Sequence, residues 1–297
     1  MTFFDMLTQR FPGLELHRAE PMANHTSFRI GGPAPMAFPA SAEELTELYR
    51  YCLEQKVCPL ILGAGTNVLA PDEGLETLVI CTKGLSKITD MGNGMIEAEA
   101  GVPMAKLACF ARDLGLTGLE FSHGIPGTVG GGVYMNGGAY GGEMCQVAVS
   151  TMALLPDGSL WEAAGEEQEF SYRNSAFQRK NAVILKTRFQ LKQGRPEDIA
   201  EKMRELMEKR RSSQPLEMPS AGSFFKRPEG NFAGTLIEKA GLKGKGIGRA
   251  AVSEKHAGFL VNLGGATAAD VLATMALVQE KVKEYSGVQL EPEVRIW

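Results

Sequence analysis

The chain reads as an α+β protein built from two or three small domains. Helical and strand periodicities alternate along its whole length. Its 297 residues correspond to about two domains at the usual ~150 residues each, or to three smaller ones. Its glycines are pooled: they make up 35 of 297 residues, roughly 12% against the usual ~7%, so part of the fold requires bare backbone. Hydrophobic residues at 44%, charged at 22% and aromatic at 7% belong to ordinary globular proteins and exclude disordered and fibrous classes. Against 35 acidic residues stand 31 Lys and Arg, a net charge of −4. Without a basic tract the chain lacks the footprint of phosphate-backbone binding, and no nucleic acid partner is expected.

Cys52, Cys58, Cys81, Cys109 and Cys145 are odd in number and form no Cys-x-x-Cys pair. They predict free thiols in a reducing cytoplasm rather than a disulfide framework or zinc site, and no metal is expected. The N-terminus carries Asp5 where a secretion signal has lysines, so no leader is expected. No run of ~18 apolar residues suggests a membrane span.

Taken in order, Ser41 and Glu44 form a capping box, and Leu45, Leu48, Tyr49, Cys52 and Leu53 then trace one helical face. A β-rich run at 57–62 leads into the glycine turn 63–65. Further strands are expected at 78–81 and 95–100, and a helix at 104–114 stopped by Gly115. From 124 to 142 nine of nineteen residues are glycine, a composition that predicts neither a packed helix nor a plain strand. Strands follow at 147–155, 159–163 and 183–191. A helix at 196–211, with Pro196 in its first turn and Arg210 and Arg211 near its end, sets Ile199, Met203, Leu206 and Met207 on one face. Its polar remainder suits an element between domains. The last ninety or so residues hold a glycine-flanked serine segment, a long helix capped by Thr267 with Val271, Met275, Val278, Val282 and Tyr285 on its inner face, and a terminal strand at 289–297.

Gly63-Ala-Gly65 begins like a dinucleotide fingerprint, but the third glycine position is Val68 and Pro71 interrupts the helix that should open there. No Walker-type phosphate loop exists either. Two glycine-rich stretches remain, each after β-like sequence, with Thr66, Asn67, Thr128 and Asn136 as side-chain donors. Exposed backbone N–H groups in such stretches suit a pyrophosphate held between two small domains, and a dinucleotide better than a single terminal phosphate. Equally, the glycines can serve only to turn tight corners.

Gly124-Ile-Pro-Gly-Thr-Val-Gly-Gly-Gly-Val-Tyr-Met-Asn-Gly-Gly-Ala-Tyr-Gly, Leu62-Gly-Ala-Gly-Thr-Asn-Val-Leu69 and Asn24-His-Thr-Ser-Phe-Arg-Ile-Gly-Gly32 together resemble the UDP-N-acetylenolpyruvoylglucosamine reductase (UDP-N-acetylmuramate dehydrogenase) family. Tyr172-Arg-Asn-Ser175, Pro219-Ser-Ala-Gly-Ser-Phe-Phe225 and Leu290-Glu-Pro-Glu-Val-Arg295 agree in the expected order. The resemblance implies the vanillyl-alcohol-oxidase-like FAD fold: subdomains at 1–83 and 84–206 clasp non-covalent FAD, and a C-terminal α+β domain at 207–297 takes the substrate. It implies NADPH as hydride donor, and reduction of the enolpyruvyl ether of UDP-N-acetylglucosamine to UDP-N-acetylmuramate for peptidoglycan synthesis; a monomer in the cytoplasm is the default expectation beside it.

Carried over by motif, Arg29, Gly63, Ala64, Gly65, Thr66, Asn67, Ile125, Pro126, Gly127, Thr128, Gly130, Gly131, Asn136, Gly138 and Ala139 are the expected cofactor contacts. Arg173, Ser223 and Glu293 are the expected catalytic set, with Lys226, Arg227 and Arg295 toward the substrate. The stretch between Arg173 and Ser223 lacks the tyrosine-bearing insertion of the longer class, so the chain resembles the compact class. Arg227 stands where the longer class tends to have asparagine.

The residue types suit the chemistry. Hydride addition to an enol ether conjugated with a carboxylate builds charge on that carboxylate and leaves the α-carbon to be protonated. Arg173 offers a permanently charged fork, Ser223 a hydroxyl proton, and Glu293 a relay or electrostatic partner, with Arg295 expected on the same strand face. Each residue also has a plain structural reading: Arg173 as a surface arginine, Ser223 as a turn or cap, Glu293 and Arg295 as a cross-strand ion pair. His123 is conceivable as a flavin attachment point, and Lys243, Lys245 and Arg249 as a basic loop facing a diphosphate or simply solvent. Two other functions fit the same residues: a flavin oxidase of this fold acting on alcohols or sugar lactones, marked by reoxidation in air, and a non-catalytic nucleotide-sugar module that consumes no NADPH.

Overall fold

The computed structural model describes residues 2–297. The chain divides into two compact units. The first comprises 2–18, Pro35–Ala64 and Thr77–Lys209; the second comprises Ala19–Ala34, Gly65–Glu76 and Arg210–Trp297.

Two hydrophobic cores lie in the first unit. One gathers around the helix Ala42–Glu54, whose Leu45, Leu48 and Cys52 are fully buried against Leu7, Ile80 and Leu154. Ser41 caps this helix by accepting the Glu44 N–H at 3.1 Å. The Glu44 carboxylate reaches one residue further back than a capping box requires and accepts the Ala40 N–H at 2.7 Å. The helix joins strands that pair in parallel, Met36 with Val79 and Leu60 with Val79.

The other core fills an antiparallel sheet of five strands in the order Leu160–Ala164, Ala148–Leu154, Val183–Gln190, Met95–Glu99 and Ile88–Gly92. The helices Met104–Asp113 and Pro196–Ser213 contribute Leu107, Ile199 and Met203 to it. The division between the units falls within the second of these helices, after Lys209. Inside the sheet the buried polar side chains satisfy one another: the Thr151 hydroxyl donates to Gln168 Oε1 at 2.9 Å, and Gln168 Nε2 donates to the Ala148 carbonyl at 3.0 Å.

The glycine-rich stretch departs from expectation, because residues Val129–Tyr134 form a helix. Helix propensity alone disfavours three consecutive glycines, but packing overrides it. A Cβ on Gly130 would stand 2.9 Å from the Ala100 Cβ, and one on Gly132 would stand 2.9 Å from the Met104 sulfur. Val129 and Val133 bury fully on its inner side. Only a helix without side chains at those positions can lie so close to its neighbours.

In the second unit, Phe28, Ile30, Leu69, Phe224, Ile237, Leu260, Val271, Val278, Val282 and Leu290 make one core. A three-stranded antiparallel sheet, Gly246–Ile247, Ala250–Val252 and Leu260–Asn262, packs against the helix Ala268–Ser286. That helix starts on a Thr267–Asp270 capping box and stops at Gly287, φ +74°. Tyr285, on its last turn, is 56% exposed and lies outside the core. The terminal strand is also shorter than its sequence suggests, covering only Arg295–Ile296 and pairing in parallel with Val68–Leu69.

Candidate active site

In the first unit the glycine-rich segment and Arg173 come together. Thr128 is 3% exposed and its hydroxyl has no hydrogen-bond partner. A Cβ on Gly63 would stand 2.7 Å from that oxygen, and one on Gly131 3.8 Å. A buried hydroxyl without a partner, flanked by bare backbone, has the hydrogen-bonding capacity to meet a polar ligand. The expected row of free N–H groups is only partly available: Val129 N–H donates to the Val102 carbonyl and Gly130 N–H to the Ala100 carbonyl, both at 2.8 Å. Asn136 is 2% exposed and spends its amide internally, donating to Glu143 Oε2 at 3.0 Å and the Ser171 carbonyl at 3.1 Å while accepting the Cys145 N–H at 2.9 Å. Gly127, after Ile125 and Pro126, takes φ +144°. Gly138 and Ala139 form a short strand paired with Gly142 and Glu143.

Arg173 occupies the second position of a two-residue turn between Ser171 and Asn174, with φ +53°. That region favours glycine and asparagine, and a residue with a Cβ there costs roughly 1–2 kcal/mol. Strain of this kind persists where the surroundings impose it. Here the Ser175 hydroxyl donates to the Tyr134 carbonyl at 2.8 Å and caps the helix Ala176–Arg179. Arg173 Nη2 donates to the Gly138 carbonyl at 3.4 Å. The turn is therefore tied to the last residue of the helix Val129–Tyr134 and to Gly138 beyond it.

In the second unit four of the motif segments are woven together. Gly65, φ +66°, passes so near the His25 carbonyl that a Cβ would stand 2.0 Å from its oxygen. Ser27 N–H donates to the Gly65 carbonyl at 3.1 Å, and the Ser27 hydroxyl donates to the Ser220 carbonyl at 2.6 Å. Asn67, beside Thr66, donates from Nδ2 to the Glu293 carbonyl at 3.2 Å and accepts the Arg295 N–H on its own carbonyl at 3.0 Å. Glu293 N–H donates to the Phe224 carbonyl at 2.8 Å. Ser223 is exposed, next to Gly222 whose φ of +79° opens onto free space. Val294 bends the chain between Glu293 and Arg295, so the two do not share a strand face. Arg29 is exposed with φ +56°.

Lys226 pairs with Glu291 at 3.3 Å, and the Arg227 guanidinium lies 4.4 Å from the centroid of the Phe232 ring. In the basic loop, Lys243 pairs with Glu238 at 2.8 Å and Arg249 Nε donates to the Gly264 carbonyl at 3.0 Å, so those cations serve the fold. His123 in the first unit has its Nδ1 3.8 Å from the Cys109 sulfur, and burial together with Arg112 pushes its pKa below the usual imidazole range. Ala64 continues the turn from Gly63 in the first unit.

Sequence reasoning missed two residues that shape these segments. Asp72 accepts the Ala268 and Ala269 N–H groups at 2.7 and 3.2 Å, fixing the loop after Asn67 to the start of a helix. Asn262, 4% exposed, donates to the Phe28 carbonyl at 3.0 Å and accepts the Gly264 and Ala266 N–H groups. Neither sits in a recognisable pattern, and their partners are distant in sequence.

The family model of an FAD binding domain matches residues 33–164, and that of the C-terminal domain of UDP-N-acetylenolpyruvoylglucosamine reductase matches residues 214–297. The protein of that name from Syntrophomonas wolfei is 45% identical over 278 residues, 93% of each chain. Its counterpart from Caldanaerobacter subterraneus is 46% identical over 283 residues, 95% of this chain and 93% of the relative. The crystal structure of UDP-N-acetylenolpyruvylglucosamine reductase from Thermus caldophilus superposes with a TM-score of 0.82 at 33% identity, covering 96% of this chain and 99% of that one.

Proposed function

Because the chain belongs to the UDP-N-acetylenolpyruvoylglucosamine reductase family, we propose that Arg173, Ser223 and Glu293 carry its chemistry. The protein is an FAD-containing oxidoreductase with the vanillyl-alcohol-oxidase-like fold and a C-terminal α+β domain. With NADPH it reduces the enolpyruvyl ether of UDP-N-acetylglucosamine to UDP-N-acetylmuramate, a step of peptidoglycan precursor synthesis. When bound, FAD supplies hydride transfer from the nicotinamide to the β-carbon of the enol ether.

The unpaired Thr128 hydroxyl and the bare backbone at Gly63 and Gly131 fit the polar groups of that cofactor. Arg173 holds the substrate carboxylate in a bidentate fork as negative charge accumulates. Ser223 gives its proton to the α-carbon, and Glu293 steadies the proton balance of that hydroxyl. Lys226, Arg227 and Arg295 provide the cations for the diphosphate and the substrate carboxylate.

The observation that carries the reading is the short backbone path from Ser223 through Phe224 to Glu293, 2.8 Å across the hydrogen bond. It keeps an exposed hydroxyl and a carboxylate-bearing residue in fixed relation. The test is anaerobic absorbance near about 450 nm, the oxidised flavin band. Ser223→Ala is expected to keep its flavin and to bleach normally with NADPH, while recovery of colour on adding the enolpyruvyl sugar nucleotide slows by about 10²–10⁴-fold. Normal recovery would remove Ser223 from the role. Recovery only on admitting air would instead favour an oxidase.

The proposed organisation is two cofactor-binding subdomains, 1–83 and 84–206, with 207–297 as the substrate domain, although the core around Ala42–Glu54 draws Leu154, Val183 and Leu185 from beyond residue 83 and the unit containing 210–297 also takes in Ala19–Ala34 and Gly65–Glu76. A cytoplasmic monomer is the proposed working form. The free thiols of Cys52 and Cys81, buried and with pKa pushed up by that burial, suit a reducing compartment. No helix among the described residues is long and apolar enough to cross a membrane.

A further inference from the structure

The hydrogen-bond path from Glu293 to Phe224 continues to an imidazole. Phe224 N–H donates to the Gly258 carbonyl at 3.0 Å, and Gly258 N–H donates to Nδ1 of His256 at 3.1 Å. Ser223 forms a bridge with Phe259, whose own N–H returns to the His256 carbonyl at 3.0 Å. The turn at 256–259 therefore backs both candidate residues.

The ring is fixed on several sides. It stands edge-on to Phe259, centroids 5.0 Å apart at 72°. A Cβ on Gly234 would approach its Cε1 to 3.3 Å, and one on Gly258 to 3.0 Å. Nδ1 accepts only while it carries no proton, so the bond requires the neutral ring with its hydrogen on Nε2. Burial is the largest cause holding its pKa below the ordinary range, aided by the nearby Lys243, while a backbone hydrogen bond and Glu238 oppose them. Glu238 lies on the helix Ala233–Lys239 and is paired with Lys243 at 2.8 Å.

We propose that His256 is a positioning residue for Ser223 and Glu293, and that a proton on its Nδ1 disables substrate protonation while leaving reduction by NADPH intact. This rests on the assignment of Ser223 and Glu293 made above. A protonated Nδ1 would set N–H against N–H. The Ala257–Gly258 peptide that carries this N–H is then pushed away, which displaces Gly258 and, through its Cα, the carbonyl of the next peptide that Phe224 N–H reaches, loosening the segment that carries the hydroxyl.

The experiment follows both half-reactions of the holoenzyme by stopped flow between about pH 5 and 8, for the wild type, His256→Ala, His256→Asn and Ser223→Ala. Asparagine can set its Oδ1 where Nδ1 stood and accept the same N–H, with no proton to gain. In His256→Ala, reoxidation by the enolpyruvyl sugar nucleotide is expected to slow by about tenfold to a hundredfold at every pH, with bleaching by NADPH unchanged. In His256→Asn, reoxidation at neutral pH stays within about threefold of wild type, and the wild type's decline on the acid side disappears. Three results would overturn the proposal: unchanged reoxidation in His256→Ala, equal slowing of both half-reactions there, or an acid decline that persists in His256→Asn. If Ser223→Ala itself reoxidises normally, the fault lies in the catalytic assignment. If Ser223→Ala fails and His256→Ala does not, only the positioning role falls.

Discussion

A buried hydroxyl without a partner costs a folded chain about 1–3 kcal/mol, and Thr128 is held in that condition between Gly63 and Gly131. Valine has the same shape and no oxygen. Thr128→Val is therefore expected to leave the melting temperature of the flavin-free protein unchanged or raise it, while weakening FAD binding by about tenfold, or ~1.4 kcal/mol. Thermal melts of the apoprotein and a flavin titration check the two halves separately. A fall in apoprotein stability with unchanged FAD affinity would mean that the hydroxyl serves the fold. Arg173 holds φ +53° in its turn, a conformation that Arg29, Lys56 and Glu169 share, so its backbone marks a turn and not by itself a site. Neither feature exists in the sequence. The motif names these residues, but only coordinates reveal that one oxygen is unpaired and one turn is strained.

Among the elements, the helix Ala268–Ser286 has the most complete start. The Thr267 hydroxyl accepts the Asp270 N–H at 3.0 Å, and Asp270 Oδ2 accepts the N–H groups of Arg249 and Thr267 at 3.1 and 3.2 Å. The Arg249 N–H first, and then that of Thr267, lower the Asp270 pKa. A carboxylate whose pKa is lower folded than unfolded stabilises above its unfolded value, about 3.9, and that contribution fades as pH falls through the folded value. The stability gap between wild type and Asp270→Asn should therefore be widest above about pH 4 and close on further acidification. Urea midpoints across that range provide the measurement, and a gap independent of pH would contradict it. This helix was legible in the sequence because its cap and inner stripe are local. Its second cap was not, since Asp72 lies 196 positions before Ala268. The helix Val129–Tyr134 was hidden for the opposite reason: its composition opposes a helix, and the neighbours that require bare backbone, Ala100 and Met104, are not adjacent in sequence. The terminal strand was overestimated because alternation persists across 289–297 while the chain bends at Val294.

For the molecule as a whole, the second unit is assembled from three separate stretches of chain. Phe28, Ile30 and Leu69 are members of its core, Asn262 holds the Phe28 carbonyl, and the strand Arg295–Ile296 has Val68–Leu69 as its partner. Residues 210–297 produced alone are thus expected to lack a cooperative fold, because they leave part of their core and one sheet pairing behind. A well-dispersed amide spectrum and a sharp melting transition from that fragment would contradict this. The family match to 214–297 marks a stretch of related sequence, whereas the unit that folds also recruits Ala19–Ala34 and Gly65–Glu76.

This interleaving also sets a timetable at the ribosome. At about 5–20 residues per second, on the order of ten seconds pass between the emergence of Leu69 and that of Arg210. Throughout that interval Phe28, Ile30 and Leu69 have been made but the rest of their core has not. The nascent chain carries apolar segments that lack their partners until the end of synthesis, so expression at elevated temperature should be limited by synthesis order more than by the finished protein's stability.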